Sequence, residues 1–388
     1  MVVNSRIAAC AIALVVAAAC RAAPQPQSFL EFVEEVAPGA GHERGVGRAV
    51  PHDAGPIAVS LLRLDPTRVW LASALSNDRV LDAEPVDGIA ARHGAIAAIN
   101  GGFFNRDNGE PTGLLKVGGE LVSDASRLKG AVVITNLPTG QMALEFDRLS
   151  AKLTMRFHAR GRDWEVPIDG VDTTRERGKL MLYTPAYHED TDTAPTGTEW
   201  TLTGDPLRVN EVRPASGQTP IPRRGAALSY GGLDLPAALA ALSSGTSVTF
   251  ETRWTSLGEV PIDSLDRSDH IINGAGLLRR RGQALVNWED EGLNPETFVD
   301  ARHPRTLIGT DREGFIWFAA VDGRQVDYSI GMTFADLQRL CDRLGLTDAL
   351  NLDGGGSTTM VVRGRIVNRP SDPGGPRPVS DAIVVTLK

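Results

Sequence analysis

Short apolar runs that end in turn sequences dominate the chain from Ile57 onward, and they constrain the fold more than any other feature. The runs at 57–64 and 68–74 are separated by an Asp-Pro-Thr turn, and those at 305–310 and 315–321 by Asp-Arg-Glu-Gly. This pattern is typical of strands joined by tight turns. Similar runs occur at 95–99, 130–136, 151–157, 179–184, 247–254, 349–352 and 382–387, with a further hairpin predicted around 363–365.

One segment, 333–344, has a helical period instead. Thr333 and Asp336 form a capping box, and Gly345 supplies the stop. Its apolar positions fall at spacings of three and four, so Cys341 among them is predicted to be a core residue rather than a nucleophile. Strands thus outnumber helices, which predicts the α+β class. No repeat or linker divides residues 51–388, which favours one large domain with a mixed or antiparallel sheet.

The first residues predict export. Arg6 precedes thirteen apolar residues that end in small side chains, and residues 1–19 have the organisation of a signal peptide. Cys20 follows three alanines, as in the lipobox of bacterial lipoproteins, although leucine is more usual where Ala17 stands. We therefore expect an envelope protein held on a membrane by lipid on Cys20, with 20–50 as anchor and tether. Plain signal cleavage is the alternative.

Charge and cysteine content exclude several classes of protein. The 388 residues carry 40 basic and 48 acidic side chains, a formal net charge of −8, which argues against a general nucleic-acid binder. Cys10 leaves with the signal, so the mature chain keeps only Cys20 and Cys341. Neither a disulfide framework nor a cysteine–histidine metal cluster can be built from them.

Familiar catalytic motifs are missing, and what remains is loops that combine glycine, carboxylate and arginine. The sequence has no GxSxG elbow, HExxH, Walker loop or GxGxxG. Asp353 precedes three glycines, whose bare N–H groups can approach an anion closely. A plain glycine-rich turn is the alternative there. Asp322-Gly323-Arg324 is a weaker signal, since it also suits a turn with a surface salt bridge.

Seven short motifs occur together in a fixed order: NGGFF at 100–104, RTLIG at 305–309, DGR at 322–324, SIGMT at 329–333, NLDGGGST at 351–358, NRPSD at 368–372 and RPV at 377–379. This set resembles the phosphodiester glycosidase family over about 57–388, most densely after Gly274. The resemblance implies an α+β fold and hydrolysis that releases a sugar from an anomeric phosphodiester.

That chemistry suits the residues in these motifs. The departing phosphate is a good leaving group, so the site needs positive charge and N–H donors more than a strong acid. We expect Asp322 and Asp353 to serve as base, nucleophile or oxocarbenium-stabilising carboxylates. The residues expected to bind sugar or phosphate are Asn100, Arg305, Arg324, Gly354, Gly355, Gly356 and Ser357. Alternatively, the aspartates cap their own turns and Arg305 pairs with one of them.

The predicted substrate is a glycan or envelope polymer, such as an exopolysaccharide, that contains a sugar-1-phosphodiester. No cofactor is required by the sequence; the aspartates could hold calcium or magnesium, but no spacing demands it. Two rival hypotheses stay open. One is a non-catalytic envelope protein that binds anionic wall glycopolymer or a wall protein, and the other is attack at phosphorus instead of carbon.

Overall fold

The computed structural model describes residues 31–47, 55–137, 139–257 and 260–388. The predicted signal peptide at 1–19 and the predicted lipidation site Cys20 lie outside these residues. Within them, no helix combines the length and the apolar character needed to cross a bilayer.

Antiparallel strands make up most of the described chain, which confirms the predicted α+β class. The α-helices are α1 Val86–Arg92, α2 Ala237–Ala241, α3 Ile262–Arg267 and α4 Phe334–Leu344. The strands are β1 Glu31–Ala37, β2 Ala40–Gly47, β3 Ile57–Leu64, β4 Val69–Leu75, β5 Ala97–Asn100, β6 Leu115–Val117, β7 Glu120–Ser123, β8 Ala125–Asn136, β9 Met142–Ala159, β10 Arg162–Pro167, β11 Gly170–Val171, β12 Leu180–Tyr183, β13 Thr198–Thr203, β14 Arg208–Pro214, β15 Gly225–Tyr230, β16 Val248–Ser256, β17 His270–Asn273, β18 Leu277–Arg280, β19 Gln283–Ala284, β20 Arg305–Asp311, β21 Ile316–Val321, β22 Leu346–Asn351, β23 Met360–Val362, β24 Arg365–Ile366 and β25 Asp381–Leu387.

The strands form four sheets. The largest has the order β1-β2-β3-β21-β20-β22-β18-β19, and a second has the order β10-β9-β8-β17-β6-β7, with β16 also pairing with β9. The two five-stranded sheets are β11-β12-β15-β13-β14 and β24-β23-β5-β25-β4. Only β11 and β12, among the described pairs, run parallel. One core cluster takes side chains from all four sheets, including Leu62, Val132, Tyr183 and Ile383.

The local predictions in the last 85 residues are confirmed. Strands β20 and β21 form a hairpin whose turn is held by Asp311, which accepts hydrogen bonds from the N–H groups of Glu313 and Phe315. Helix α4 begins at the capping box of Thr333 and Asp336 and ends at Gly345, whose φ of 67° is left-handed. Cys341 is buried among the apolar residues of the helix, as expected of a core residue.

The predicted tether at 20–50 is wrong for residues 31–47. These residues form β1 and β2, and β2 pairs with β3 along its whole length, which extends the largest sheet. Val36 is buried, and its carbonyl accepts hydrogen bonds from the Arg363 guanidinium. The Ala-, Gly- and Glu-rich sequence hides this strand pair, because backbone hydrogen bonds to a neighbouring strand supply the order that its composition does not predict.

Candidate active site

The candidate site forms where two sheets meet. Strand β5 ends at Asn100, and β22 runs into the loop from Asp353 to Ser357. The Asn100 amide donates to the Asp353 carbonyl at 2.8 Å, and its oxygen accepts from the Thr306 hydroxyl at 2.8 Å. Because Asn100 is fully buried and bonded to protein on both sides of its amide, it joins the two sheets and positions the Asp353 loop.

Arg305 is buried in an aromatic cage at the start of β20. Its Nε and Nη2 donate to the carbonyls of Met332, Phe298 and Ala301, and its guanidinium lies 4.9 Å from the ring centroids of both Phe298 and Phe334. Burial, together with the nearby charge of Arg324, lowers the pKa of Arg305 to about 9. Neither arginine has a carboxylate partner among the described residues. The alternative in which Arg305 pairs with a site aspartate is therefore wrong for this part of the chain.

Arg324 is exposed and lies over the glycine loop. Its own φ is 60°, a left-handed conformation that is uncommon for an arginine. A Cβ on Gly355 would stand only 3.1 Å from Nη2 of Arg324, so the absence of a side chain there lets the guanidinium reach the backbone. Two arginines without carboxylate partners thus adjoin the Asp353 loop, and an anion placed there would offset their mutual repulsion.

His303 supports Arg324 from the other side. Its Nε2 lies 3.0 Å from the Thr297 carbonyl and must donate to it, which leaves Nδ1 as an acceptor. Nη2 of Arg324 lies 3.4 Å from that Nδ1. Burial is the main cause of a lowered pKa of His303, and the charges of Arg305 and Arg324 add to it, so the neutral imidazole is favoured.

Asp353 is the carboxylate with the chemistry of an acid–base group. Burial raises its pKa to about 6, against the opposing effects of Ser357, the Gly354 N–H and Arg377. The Gly354 N–H donates to Oδ1 at 2.8 Å, while the buried Ser357 hydroxyl lies nearby without a regular hydrogen bond. A carboxylate that titrates near pH 6 can exchange a proton under ordinary conditions.

Asp381, the first residue of β25, is a second carboxylate close to Asp353. It is buried beneath Gly101 and Gly102, where the Gly102 N–H lies 3.3 Å from each of its oxygens, and Ser380 donates to Oδ1 at 2.8 Å. Burial raises the pKa of Asp381, and its negative charge helps to raise the pKa of Asp353. Burial is thus the main cause of the raised pKa at both carboxylates, and the charge of Asp381 adds to it at Asp353.

Asp322 is placed differently. It is buried, and its Oδ1 accepts from the Asn368 amide at 3.0 Å and from the Arg369 N–H at 2.8 Å. Oδ2 accepts from the Tyr328 hydroxyl at 3.2 Å. These bonds tie the Asp322 turn mainly to the distant segment of Asn368 and Arg369, and through that turn they help to fix the position of Arg324.

The predicted anion cradle of three glycine N–H groups is largely occupied by the protein. The N–H of Gly354 donates to Asp353 and that of Gly355 to the Pro304 carbonyl at 2.9 Å. At Gly356, the missing side chain makes room for an ion pair instead, in which Nε of Arg377 lies 2.9 Å from Asp372. The glycines therefore serve the close approach of two arginines more than direct N–H binding.

The structure thus brings the predicted residues of the Asp353 loop together with Asn100, Arg305 and Arg324, and it leaves Asp322 and Ser357 as buried supports. Four neighbours were missed by the sequence interpretation. Asp372 and Arg377 lie in the NRPSD and RPV motifs, which could have revealed them. His303 and Asp381 lie outside the motifs, two residues before Arg305 and two residues after Val379, so proximity to a motif was the only signal for them.

The described residues around the site contain no cluster of metal ligands. Within residues 31–47 and the described part of 55–388, no group of three or more histidine, cysteine, aspartate or glutamate side chains could hold a metal ion. The carboxylate oxygens of Asp322 already accept hydrogen bonds from Asn368, Arg369 and Tyr328. A calcium or magnesium ion at the aspartates stays a prediction that this geometry does not strengthen.

Comparison with known proteins tests the resemblance. Residues 198–386 match the model of the family described as phosphodiester glycosidase. This segment belongs to the phosphodiester glycosidase family. All the predicted site residues except Asn100 and Cys20 lie within the matched segment.

A curated relative agrees with this assignment. The N-acetylglucosamine-1-phosphodiester alpha-N-acetylglucosaminidase of Mus musculus is 30% identical over 132 residues, which are 32% of this chain and 25% of that protein. The match therefore spans only a quarter of the relative's length.

Solved structures show a likeness of fold over most of the chain. A hypothetical protein from Synechocystis superposes with a TM-score of 0.74 at 24% identity, covering 90% of this chain and 62% of that one. The catalytic domain of zebrafish N-acetylglucosamine-1-phosphodiester alpha-N-acetylglucosaminidase, auto-inhibited by its pro-peptide, gives a TM-score of 0.51 at 16% identity and covers 93% and 89% of the two chains. At these identities the superpositions show a shared fold.

Proposed function

We propose that this protein hydrolyses the anomeric carbon–oxygen bond of a sugar-1-phosphodiester. The observation that carries the proposal is the pair Arg305 and Arg324, which lack a carboxylate partner among the described residues and adjoin the glycines of the loop that begins at Asp353, a carboxylate of raised pKa. A phosphodiester supplies the missing negative charge, and its anomeric carbon then lies toward Asp353. The family assignment supports the same class of substrate.

The reaction balances with the residues at hand. The oxygen of water bonds to the anomeric carbon, and the bond from that carbon to the bridging oxygen breaks. The electron pair of the broken bond goes to the phosphate, which leaves as a monoester. Asp353 takes the proton from the attacking water as general base. The guanidinium of Arg324, with Arg305 behind it, stabilises the charge that develops on the departing phosphate.

Asp381 and His303 tune this arrangement. Burial makes Asp353 basic enough to accept a proton, and the nearby charge of Asp381 adds to this effect. The neutral His303 accepts from Arg324 and so orients the guanidinium without competing for the phosphate. Asp322 orders the turn that carries Arg324, and Asn100 positions the Asp353 loop.

Hydrolysis of a hexose-1-phosphate methyl diester in ¹⁸O-labelled water tests the proposal. Purified protein should release free reducing sugar that carries the label at its anomeric hydroxyl, and Asp353→Asn should not. Label in the phosphate product would mean attack at phosphorus. Saturable binding of the diester without any release of sugar would favour the non-catalytic envelope protein.

The proposed setting is the cell envelope. The signal-like segment 1–19 and Cys20 support export and a lipid anchor. A protein held there would meet exported glycans and polymers with sugar-1-phosphodiester linkages, so we propose such a polymer as the substrate.

A further inference from the structure

A cleft of about 500 Å³ adjoins the candidate site at Arg377, which contacts Gly356 of the Asp353 loop. Its volume lies within the range of roughly 300–1,000 Å³ that small-molecule sites occupy. One wall is the segment 81–83, the second is the loop 104–109, and Arg377 with Pro378 forms the end that faces the Asp353 loop.

Arg377 connects this cleft to the reacting groups. It lines the cleft, forms a bidentate ion pair with Asp372, and rests on Gly356. Its positive charge also lowers the pKa of Asp353, although burial outweighs it there. The cleft therefore opens next to the carboxylate that we place at the anomeric carbon.

The NGGFF motif separates the two sides of the site. The ring of Phe103 lies 6.0 Å from that of Phe298, which belongs to the cage around Arg305. The next residue, Phe104, lines the cleft instead. A ligand that crosses the Asp353 loop would thus pass from the arginine pair, over the carboxylate, to an aromatic ring.

The loop that forms the outer wall is preformed. The N–H of Asn105 donates to the Glu110 carbonyl at 2.7 Å, and that of Gly109 donates to the Asn105 carbonyl at 2.8 Å. Gly109 has a φ of 85° and packs directly on the backbone of Asp82, where a side chain would not fit. The cleft can therefore bind a ligand with little loss of conformational entropy in the loop that forms its wall.

The groups in the cleft suit a neutral polyhydroxyl ligand. Arg106 and Arg377 supply donors, Asp82 and Asp107 supply acceptors, and Phe104 offers an apolar face. These four side chains carry two positive and two negative charges, so they have no net charge that would favour an anionic ligand.

We propose that this cleft binds the sugar rings that lie beyond the one carrying the phosphate, so that the site is built for an oligosaccharide. The inference rests on the proposed function, because it uses the order phosphate, anomeric carbon, sugar across the Asp353 loop. The alcohol side of the diester then extends past Arg324, away from the cleft.

Two matched substrates test this assignment: the methyl diester of a hexose-1-phosphate, and the same diester with a second hexose on the sugar side. The protein should have the lower KM for the disaccharide. Phe104→Leu, which keeps apolar packing but removes the aromatic face, and Arg106→Ala should each raise KM for the disaccharide by roughly 3- to 10-fold and leave the monosaccharide nearly unchanged. Arg365→Ala, another exposed arginine, is the control and should change neither.

Calorimetric binding of the free disaccharide-1-phosphate gives a second measurement that does not need turnover. Wild-type protein should bind it more tightly than the monosaccharide-1-phosphate, and Phe104→Leu should abolish the difference. Sugar release that shows no dependence on chain length, or variants that respond only to a change of the alcohol, would overturn the assignment while leaving the proposed function intact. Chain-length-dependent binding without sugar release would overturn the proposed function and keep the cleft as a sugar site.

Discussion

The guanidinium of Arg324 lies so close to Gly355 that a Cβ on residue 355 would stand 3.1 Å from its Nη2 and 3.3 Å from its Nη1. The glycine loop and the arginine turn are therefore one unit, although 30 residues of chain, including α4 and β22, separate them. A substitution in the glycine loop should therefore change the position of Arg324, and a substitution in the arginine turn should change the glycine loop.

Gly355→Ala tests this contact. Gly355 has a φ of 61° and Gly364 one of 70°, so alanine at either position should cost about 1–2 kcal/mol of backbone strain. At position 355 the added Cβ also contacts Arg324. At position 364 an added Cβ has no atom within 4 Å. Gly355→Ala should weaken inhibition by a phosphate monoester, whereas Gly364→Ala should lower stability alone. Equal inhibition constants in the two variants would contradict a contact that couples residue 355 to phosphate binding by Arg324.

Lysine at the arginine positions should separate charge from geometry. Arg324→Lys keeps the positive charge but loses the planar fork, so phosphate binding should weaken by roughly 10- to 100-fold, the worth of a charge-assisted hydrogen bond. Arg305→Lys should also lower the melting temperature, because it removes donors to three carbonyls in a buried cage. Arg365→Lys, whose side chain is 74% exposed, is the control and should leave both properties unchanged.

The two predicted carboxylates should respond unequally to amide substitution. Asp353→Asn should reduce turnover on the order of 10²-fold or more, because it removes the base while keeping an acceptor for the Gly354 N–H. Asp322→Asn should cost less than about tenfold, since the amide oxygen can still accept from Asn368 and Arg369. Steady-state kinetics on a substrate that the parent protein cleaves decides this, and the reverse ranking would move the base to Asp322.

The raised pKa of Asp353 predicts a pH dependence of both activity and stability. A base with a pKa of about 6 requires that kcat/KM fall as the pH drops below 6. Because the folded-state pKa is above the ordinary value of 3.8, the protonated form stabilises the fold fully below pH 4, and this stabilisation is lost as the pH rises through 6. At pH 8 the ionised group then costs up to about 3 kcal/mol, from 1.36 kcal/mol per pKa unit.

Melting temperatures of Asp353→Asn check the second half of this prediction. The variant should match the parent at pH 4 and exceed it at pH 8, while being less active. The exposed Asp234→Asn serves as control for the loss of one negative charge. A variant that is less stable than the parent at pH 8 would contradict the proposed cost of the buried charge.

Cys20→Ala tests the anchor. If lipid on Cys20 holds the protein on a membrane, the variant should appear in the soluble periplasmic or extracellular fraction. Mass spectrometry of the mature amino terminus provides the direct measurement. A parent protein that begins at another residue and carries no lipid would refute the anchor.

Local signals in the sequence predicted the elements but not their assembly. The turn at Asp311 and the caps of α4 depend on neighbours within a few residues, so the sequence alone placed them correctly. Strands β1 and β2 were missed, because their order comes from pairing with β3. The loops around Asn100 and Asp353 were predicted from motifs. The motifs could not show that Asp322 accepts hydrogen bonds from Asn368 and Arg369. Nor could they show that Asp381 packs beneath Gly101.

Strand β25, which carries Asp381, lies between β4 and β5 in its sheet and pairs Asp381 with Leu75. During synthesis from the amino end, β4 and β5 lack the strand that pairs with both of them until almost all of the described chain has been made. Contacts of such long sequence separation form slowly. A chain that is cut short before β25 would lack one carboxylate of the site and the strand that joins β4 to β5. The proposed hydrolytic activity should therefore depend on a late step of folding, the insertion of β25 between β4 and β5.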